Sequence, residues 1–179
     1  MPTVKNPPAL VAQETGAWCF AAAEQMVRSF FGFAARTQYQ IARQLAASRG
    51  LVDPNFIEQW QLALALDESA NQPDNNGANN ASQVVQLVRA TYGTINDADT
   101  HGRFVENLSA ADIRGEIDAN RIFVIGNAIH FYVVYGYEDN GNTMLVRDPW
   151  PPNHGGQNSR VTLATYQDWD NRIAIFFAP

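Results

Sequence analysis

Apolar residues in the first half of the chain recur every three or four positions, which is the spacing of one helix face. The run that begins at Cys19 and ends near Gly32 predicts a largely buried helix. A second helical run follows Thr37, a residue type suited to the N-cap, and Gly50 marks its predicted end. Weaker patterns predict two further helices, at 55–65 and at 82–93. Between them, residues 71–80 predict an asparagine-rich surface loop.

The second half carries short segments rich in Val, Ile, Phe and Tyr, separated by Gly, Asn, Pro or Asp. These segments predict strands at RIFVIGNA, HFYVVYGYED, TMLVRDPW, RVTLATYQ and RIAIFFAP. A short helix is predicted before them, because Ser109 and Asp112 have the spacing of a capping box. Helices followed by an antiparallel sheet define an α+β fold. We expect one domain over residues 1–179, with a helical half at about 1–92 and a sheet half at about 93–179.

The segment EDNGNT predicts a hairpin turn between two of these strands. His130 opens the first strand and Asp148 ends the second, so the hairpin would place both residues at one edge of the sheet. A carboxylate on one ring nitrogen orients an imidazole and makes it a better base. If the helix at Cys19 packs against that edge, the other nitrogen faces the sulfur, and the imidazolium and the helix dipole both favour a thiolate.

Each of these residues also has a structural interpretation. Cys19 taken alone is a small apolar residue suited to a protein core. Asp148 stands before a proline, where an aspartate often starts a turn. Their order along the chain, with His130 between them and a glutamine before the cysteine, favours nucleophilic chemistry over these separate structural roles.

Composition excludes several classes of function. The formal net charge of −6 over 179 residues argues against nucleic acid or an anionic membrane as the main partner. No apolar run approaches the roughly 18 residues of a membrane span, and the initial MPTVKNPPALVAQ lacks the apolar stretch of a signal peptide. A single cysteine cannot form an internal disulfide, which is consistent with a reducing compartment. We therefore expect a protein that is cytoplasmic as synthesised, with neither a membrane nor a nucleic acid as partner.

The sequence predicts no metal and no cofactor. Asp97, Asp99 and His101 alternate as metal ligands can, but a polar loop or strand end accounts for them better. His154 lies in PPNHGG, a segment typical of a surface loop, and HGGQN lacks the lysine and helix of a phosphate-binding loop.

Two segments carry a resemblance to a known family. QETGAWCFAAA resembles the active-site segment of papain-like cysteine proteases, in which a glutamine stands six positions before the nucleophilic cysteine, as Gln13 does here. HFYVVYGY followed by VRDPW resembles the family's histidine strand and its asparagine or aspartate strand. The aspartate form is similar to bacterial papain-like peptidases of the C39-like kind and to bacterial papain-like effectors.

The resemblance implies a role for each residue. Cys19 would be the nucleophile, His130 the general base and acid, and Asp148 the residue that orients the imidazole. The side chain of Gln13 and the backbone N–H of Cys19 would form the oxyanion hole.

Two tryptophans match the family's pattern less closely. Trp150 follows Asp148 by two residues, as a tryptophan follows the asparagine in papain's own motif, and would shield the His–Asp pair from water. Trp18 precedes the cysteine, whereas papain has its tryptophan on the other side, and it would border the cleft.

The function that follows is a peptidase that cleaves a protein or peptide substrate through an acyl-enzyme. Two alternatives stay open: acyl transfer or deamidation by the same three residues, as in transglutaminase-like proteins, and a papain-fold binding module without turnover. Two biological roles stay equally open: a delivered effector or toxin, which the resemblance to effectors implies and which would use a route that needs no signal peptide, and a processing or housekeeping peptidase. If the activity is toxic to its maker, we expect a dedicated inhibitor protein that covers the cleft.

Overall fold

The computed structural model describes residues 1–14, 18–48, 100–127, 130–152, 154–170 and 172–178. Several predicted features lie outside the described residues: the helices at 55–65 and 82–93, the loop at 71–80 and the end of the second helix at Gly50. The predicted boundary between a helical and a sheet half, near residue 92, also lies outside them and stays a prediction.

Four α-helices are present in the described ranges: α1 (Cys19–Phe31), α2 (Gln38–Ser48), α3 (Ala110–Asp118) and α4 (Leu163–Gln167). The predicted bounds of α1 are confirmed, because Gly32 ends it in the left-handed region with a φ of 74°. The capping box of α3 is also confirmed. The Ser109 hydroxyl accepts from the Asp112 N–H, and the Asp112 carboxylate accepts from the Ser109 N–H.

Within the described residues, six strands form one antiparallel sheet in the order β1-β6-β2-β3-β4-β5. The strands are β1 (Gly102–Val105), β2 (Phe123–Gly126), β3 (Phe131–Glu138), β4 (Thr143–Asp148), β5 (Gln157–Thr162) and β6 (Ile173–Phe177). The hairpin predicted at EDNGNT is confirmed. It joins β3 to β4 through a turn in which Asp139 and Asn140 have positive φ, a conformation that Asp and Asn tolerate better than most residues. Helices and an antiparallel sheet confirm the α+β fold class.

The strand predictions need three corrections. RVTLATYQ is not a strand throughout, because β5 ends at Thr162 and the remainder forms α4. The Thr162 hydroxyl accepts from the Thr165 N–H at 3.0 Å, which caps the short helix. β1 was not predicted: only two of its four residues are apolar, and none of the four is buried. β3 begins at Phe131, one residue after His130.

The core lies where α1 and α3 pack against β3. The N-terminal segment follows the same strand, since the Val4 N–H donates to the Tyr135 carbonyl at 2.9 Å. It continues to the end of β4, where the Gln13 N–H donates to the Pro149 carbonyl at 3.0 Å. The chain before α1 is therefore tied to the sheet edge at which β3 begins and β4 ends. No helix in the described part of the chain is both long and apolar enough to cross a membrane.

Candidate active site

The β3–β4 hairpin brings a histidine and an aspartate together. The strands pair so that Val133 faces Arg147, which sets the start of β3 beside the end of β4. His130 Nε2 and Asp148 Oδ1 are 2.7 Å apart, and the two residues are only 8% and 6% exposed. A charge-assisted hydrogen bond of this length in a buried position is strong. The adjacency that the hairpin predicted is therefore present.

Two further donors hold the Asp148 carboxylate. The backbone N–H of Trp150 donates to Oδ1 at 2.9 Å, and the side-chain amide of Gln157 donates to Oδ2 at 3.1 Å. Burial raises the pKa of Asp148, but the bond and charge of His130, with the Trp150 and Gln157 donors, outweigh it and leave that pKa lowered. Asp148 is therefore a carboxylate near neutral pH.

The other side of the imidazole meets the cysteine. Asp148 occupies Nε2, so Nδ1 is the ring nitrogen left for the hydrogen bond between His130 and Cys19. Burial lowers the pKa of His130, but the hydrogen bonds and charges of Asp148 and Cys19 outweigh it and raise the pKa to about 9. The Asn127 side chain accepts the backbone N–H of His130 at 3.0 Å and fixes the chain just before β3. The ring thus carries its proton at neutral pH.

Cys19 is the first residue of α1, at the positive end of the helix dipole. The side chain of Trp18, the N-cap residue, makes no capping hydrogen bond, and the first turn of α1 holds no acidic residue. Cys19 is only 1% exposed, so a reagent or substrate that reaches its sulfur must also contact the residues that surround it.

Gln13 lies in the segment that the Pro149 carbonyl ties to the end of β4. Its side chain is fully buried, at 0% exposure. One backbone hydrogen bond thus holds Gln13 beside Pro149, the residue that follows Asp148 in sequence.

The two tryptophans occupy different surroundings. Trp18 is the N-cap residue of α1 and belongs to the hydrophobic core. Trp150 is half-buried, and its observed link to the His–Asp pair is its backbone N–H. The shielding role of each indole stays a prediction.

Sequence reasoning missed an aromatic group beside the histidine. The Tyr132 ring meets the His130 ring edge-on at 4.6 Å, and Trp169 stacks on Tyr132 at 5.6 Å. Burial, followed by the negative charges of Asp148 and Cys19, raises the pKa of Tyr132 to about 12. The period of two along a strand could have placed Tyr132 on the same face as His130, but no sequence pattern indicates Trp169.

Gln157 was missed for a similar reason. It stands directly opposite Asp148 in the β4–β5 pairing, and that register is visible only in the folded chain. The other histidines, His101 and His154, are exposed and take no part in the contacts described above.

Among the described residues, no group of three His, Cys, Asp or Glu side chains could hold a metal ion. Asp97 and Asp99, which alternate with His101, lie outside those residues.

In this site a cysteine at the start of a helix is hydrogen-bonded to an imidazole, and an aspartate holds the imidazole from its other side. This is the arrangement of a papain-like cysteine protease, and that is the class of the protein. The sequence model of the Peptidase_C39 like family matches residues 7–173. The chain belongs to that family.

A solved structure, that of UfSP from C. elegans, matches with 15% sequence identity and a TM-score of 0.49. The match covers 99% of this chain but only 34% of the UfSP chain, so this chain spans about a third of that protein. No curated protein sequence gives a significant match.

Proposed function

We propose that this protein cleaves peptide bonds through an acyl-enzyme on Cys19. The observation that carries the proposal is the position of His130, whose ring is bonded to Asp148 on one side and to Cys19 on the other. A protonated imidazole beside the sulfur stabilises the thiolate, and the thiolate is the form that attacks a carbonyl carbon.

In the first step the Cys19 sulfur forms a bond to the carbonyl carbon of the substrate. The π electron pair of the carbonyl moves to its oxygen, which becomes an oxyanion. We assign its two donors to the backbone N–H of Cys19 and the side-chain amide of Gln13. Because Cys19 begins α1, its N–H points out of the helix end toward the developing charge.

The tetrahedral intermediate then collapses and the C–N bond breaks. The leaving nitrogen takes the proton from His130, so the amine departs neutral and the acyl group stays on the sulfur as a thioester. His130 next accepts a proton from water as the water oxygen adds to the acyl carbon. Loss of the thiolate releases a carboxylic acid and restores the ion pair.

Asp148 keeps the ring in position through both proton transfers. Its carboxylate fixes Nε2, so that Nδ1 always faces the sulfur and the reacting atoms. The donors from Trp150 and Gln157 keep the carboxylate itself from rotating.

A peptide library incubated with the protein tests the proposal. Wild type should produce new carboxyl termini detected by mass spectrometry, and in ¹⁸O-labelled water these termini should carry the label. Cys19→Ala and Cys19→Ser should produce none while keeping the circular dichroism spectrum of wild type, since both side chains fit the space of the thiol.

Other outcomes would point to the alternatives. Incorporation of an added amine, or conversion of glutamine to glutamate without chain cleavage, would make the protein an acyltransferase or deamidase. No product together with no covalent labelling by an electrophilic peptide would leave only a binding role.

We further propose, from the resemblance alone, that the activity is toxic and that a dedicated inhibitor protein covers the cleft. Expression of wild type should then slow the growth of its host, and expression of Cys19→Ala should not. Equal growth with both would exclude this part of the proposal.

A further inference from the structure

A buried glutamine in α2 holds the backbone on both sides of Gln13. Gln38 is the first residue of α2 and is 1% exposed. Its Oε1 accepts from the Glu14 N–H at 2.8 Å, and its Nε2 donates to the Ala12 carbonyl at 2.8 Å. One side-chain amide thus bonds the residue before Gln13 and the residue after it.

The same amide connects this segment to the helix that carries the cysteine. Gln38 Nε2 also donates to Gln25 Oε1 at 3.1 Å, and Gln25 lies on α1. Gln25 in turn donates to the Arg36 carbonyl at 2.7 Å, just before α2 begins. The chain around Gln13 is therefore fixed to α1 and α2 on one side and to the end of β4 on the other.

We propose that Gln38 is a positioning residue for the oxyanion hole, acting through Gln13; this inference rests on the function proposed above. An oxyanion donor stabilises the transition state only when it sits within hydrogen-bond distance of the charged oxygen. A displacement of about 1 Å can cost roughly 10²-fold in rate. Gln38 keeps the Gln13 main chain at a fixed distance from the α1 N-terminus.

The chemistry of the position requires an amide. Gln38 must accept one hydrogen bond and donate two, and a carboxylate can only accept. Leucine has a similar size but provides neither function, so Gln38→Leu leaves the Glu14 N–H and Ala12 carbonyl without these bonds. Gln38→Glu keeps the acceptor for Glu14 but sets an oxygen against the Ala12 carbonyl.

Two reactions of the same thiolate separate positioning from other effects. p-Nitrophenyl acetate acetylates the sulfur through a tetrahedral oxyanion and releases p-nitrophenolate. Iodoacetamide alkylates the same sulfur by displacement of iodide, with no oxyanion. Both reagents must reach Cys19, so the ratio of the acylation rate to the alkylation rate cancels differences in thiol access and ionisation.

We expect the ratio to fall about tenfold to 10²-fold in Gln38→Leu and in Gln38→Glu. Gln13→Ala should lower it by at least as much. The double variant Gln13→Ala/Gln38→Leu should be no worse than Gln13→Ala, because Gln38 acts only through Gln13.

Ile41→Ala is the matched control. Ile41 is a buried core residue of the same helix and makes none of these bonds, so the change should lower the melting temperature and leave the ratio unchanged. If Ile41→Ala lowers the ratio as Gln38→Leu does, the effect comes from loss of α2 stability and the proposal is wrong.

Other results separate this inference from the proposed function. An unchanged ratio in both Gln38 variants, with a fall in Gln13→Ala, would overturn the inference and leave the oxyanion hole intact. Additive losses in the double variant would also overturn it. If Gln13→Ala itself has no effect, the assigned oxyanion hole is wrong, and Gln38 has no catalytic group to position.

Discussion

Replacing Asp148 should lower the pH at which His130 loses its proton. The hydrogen bond that His130 donates to Asp148 is the largest of the interactions that raise the pKa of His130, and burial acts against it. Asp148→Ala removes the bond and the charge but leaves the ring buried. Asp148→Asn keeps an oxygen for the ring and removes only the charge, provided that Gln157 turns its amide to present Oε1.

The size of the change follows from the hydrogen bond that is lost. A pKa raised from 6.5 to about 9 favours the folded imidazolium by roughly 3 kcal/mol, at about 1.4 kcal/mol for each tenfold change in the equilibrium. A hydrogen bond to a charged group contributes about 1.5–3 kcal/mol. Its loss in Asp148→Ala should therefore lower the His130 pKa by about one to two pH units, to roughly 7–8.

The pH profile of peptide cleavage measures this directly. Departure of the amine requires the proton on His130, so kcat/KM of wild type should fall as the pH rises through about 9. That fall should move to roughly pH 7–8 in Asp148→Ala and to an intermediate pH in Asp148→Asn. An NMR titration of the His130 ring, which reports the Cys–His–Asp group as a unit, provides a second measurement.

The same fall in all three proteins would refute this reasoning. It would mean that Asp148 does not set the charge of the imidazole, and that Cys19 alone does so. A profile that moves in Asp148→Asn as far as in Asp148→Ala would show that the charge matters and the retained hydrogen bond does not.

Three further outcomes follow from the structure. His130→Ala should abolish peptide cleavage, whereas His101→Ala and His154→Ala should leave most of it, because both of those side chains are exposed. The raised pKa of His130 stabilises the fold fully below about pH 6.5, and this contribution is lost as the pH rises through about 9. The unfolding free energies of wild type and His130→Gln, measured by urea titration, should therefore differ less as the pH rises over that range. Gly156→Ala should lower kcat/KM more than Gly155→Ala does: both glycines have positive φ, but only at Gly156 would a Cβ lie 2.6 Å from the carbonyl oxygen of the aspartate that ends β4.

The parts of the fold that local chemistry dictates could be predicted from the sequence. The αL glycine after α1, the capping box at Ser109 and the hairpin at EDNGNT each depend on residues within a few positions of one another. The adjacency of His130 and Asp148 followed from the hairpin, since a turn of known length fixes which strand ends meet.

The rest depends on contacts between distant segments. RVTLATYQ alternates in part like a strand, yet the Thr162 hydroxyl and the Thr165 N–H turn its second half into a helix. Gln157 and Gln38 look like solvated glutamines in the sequence, because nothing near them shows which backbone groups they meet. Only the β4–β5 register and the packing of α2 against the chain before α1 reveal those partners.

Two residues that support the His–Asp pair share a property that matters for the chemistry. Gln157 supports Asp148 and Asn127 fixes the backbone of His130, and both are neutral amides. A charged residue at either position would add its own field to a buried site, where electrostatic interactions are strong. With amides there, the interactions within the described residues that raise the pKa of His130 come from Asp148 and Cys19. Gln157 therefore helps to keep Asp148 ionised without adding a charge of its own beside the imidazole.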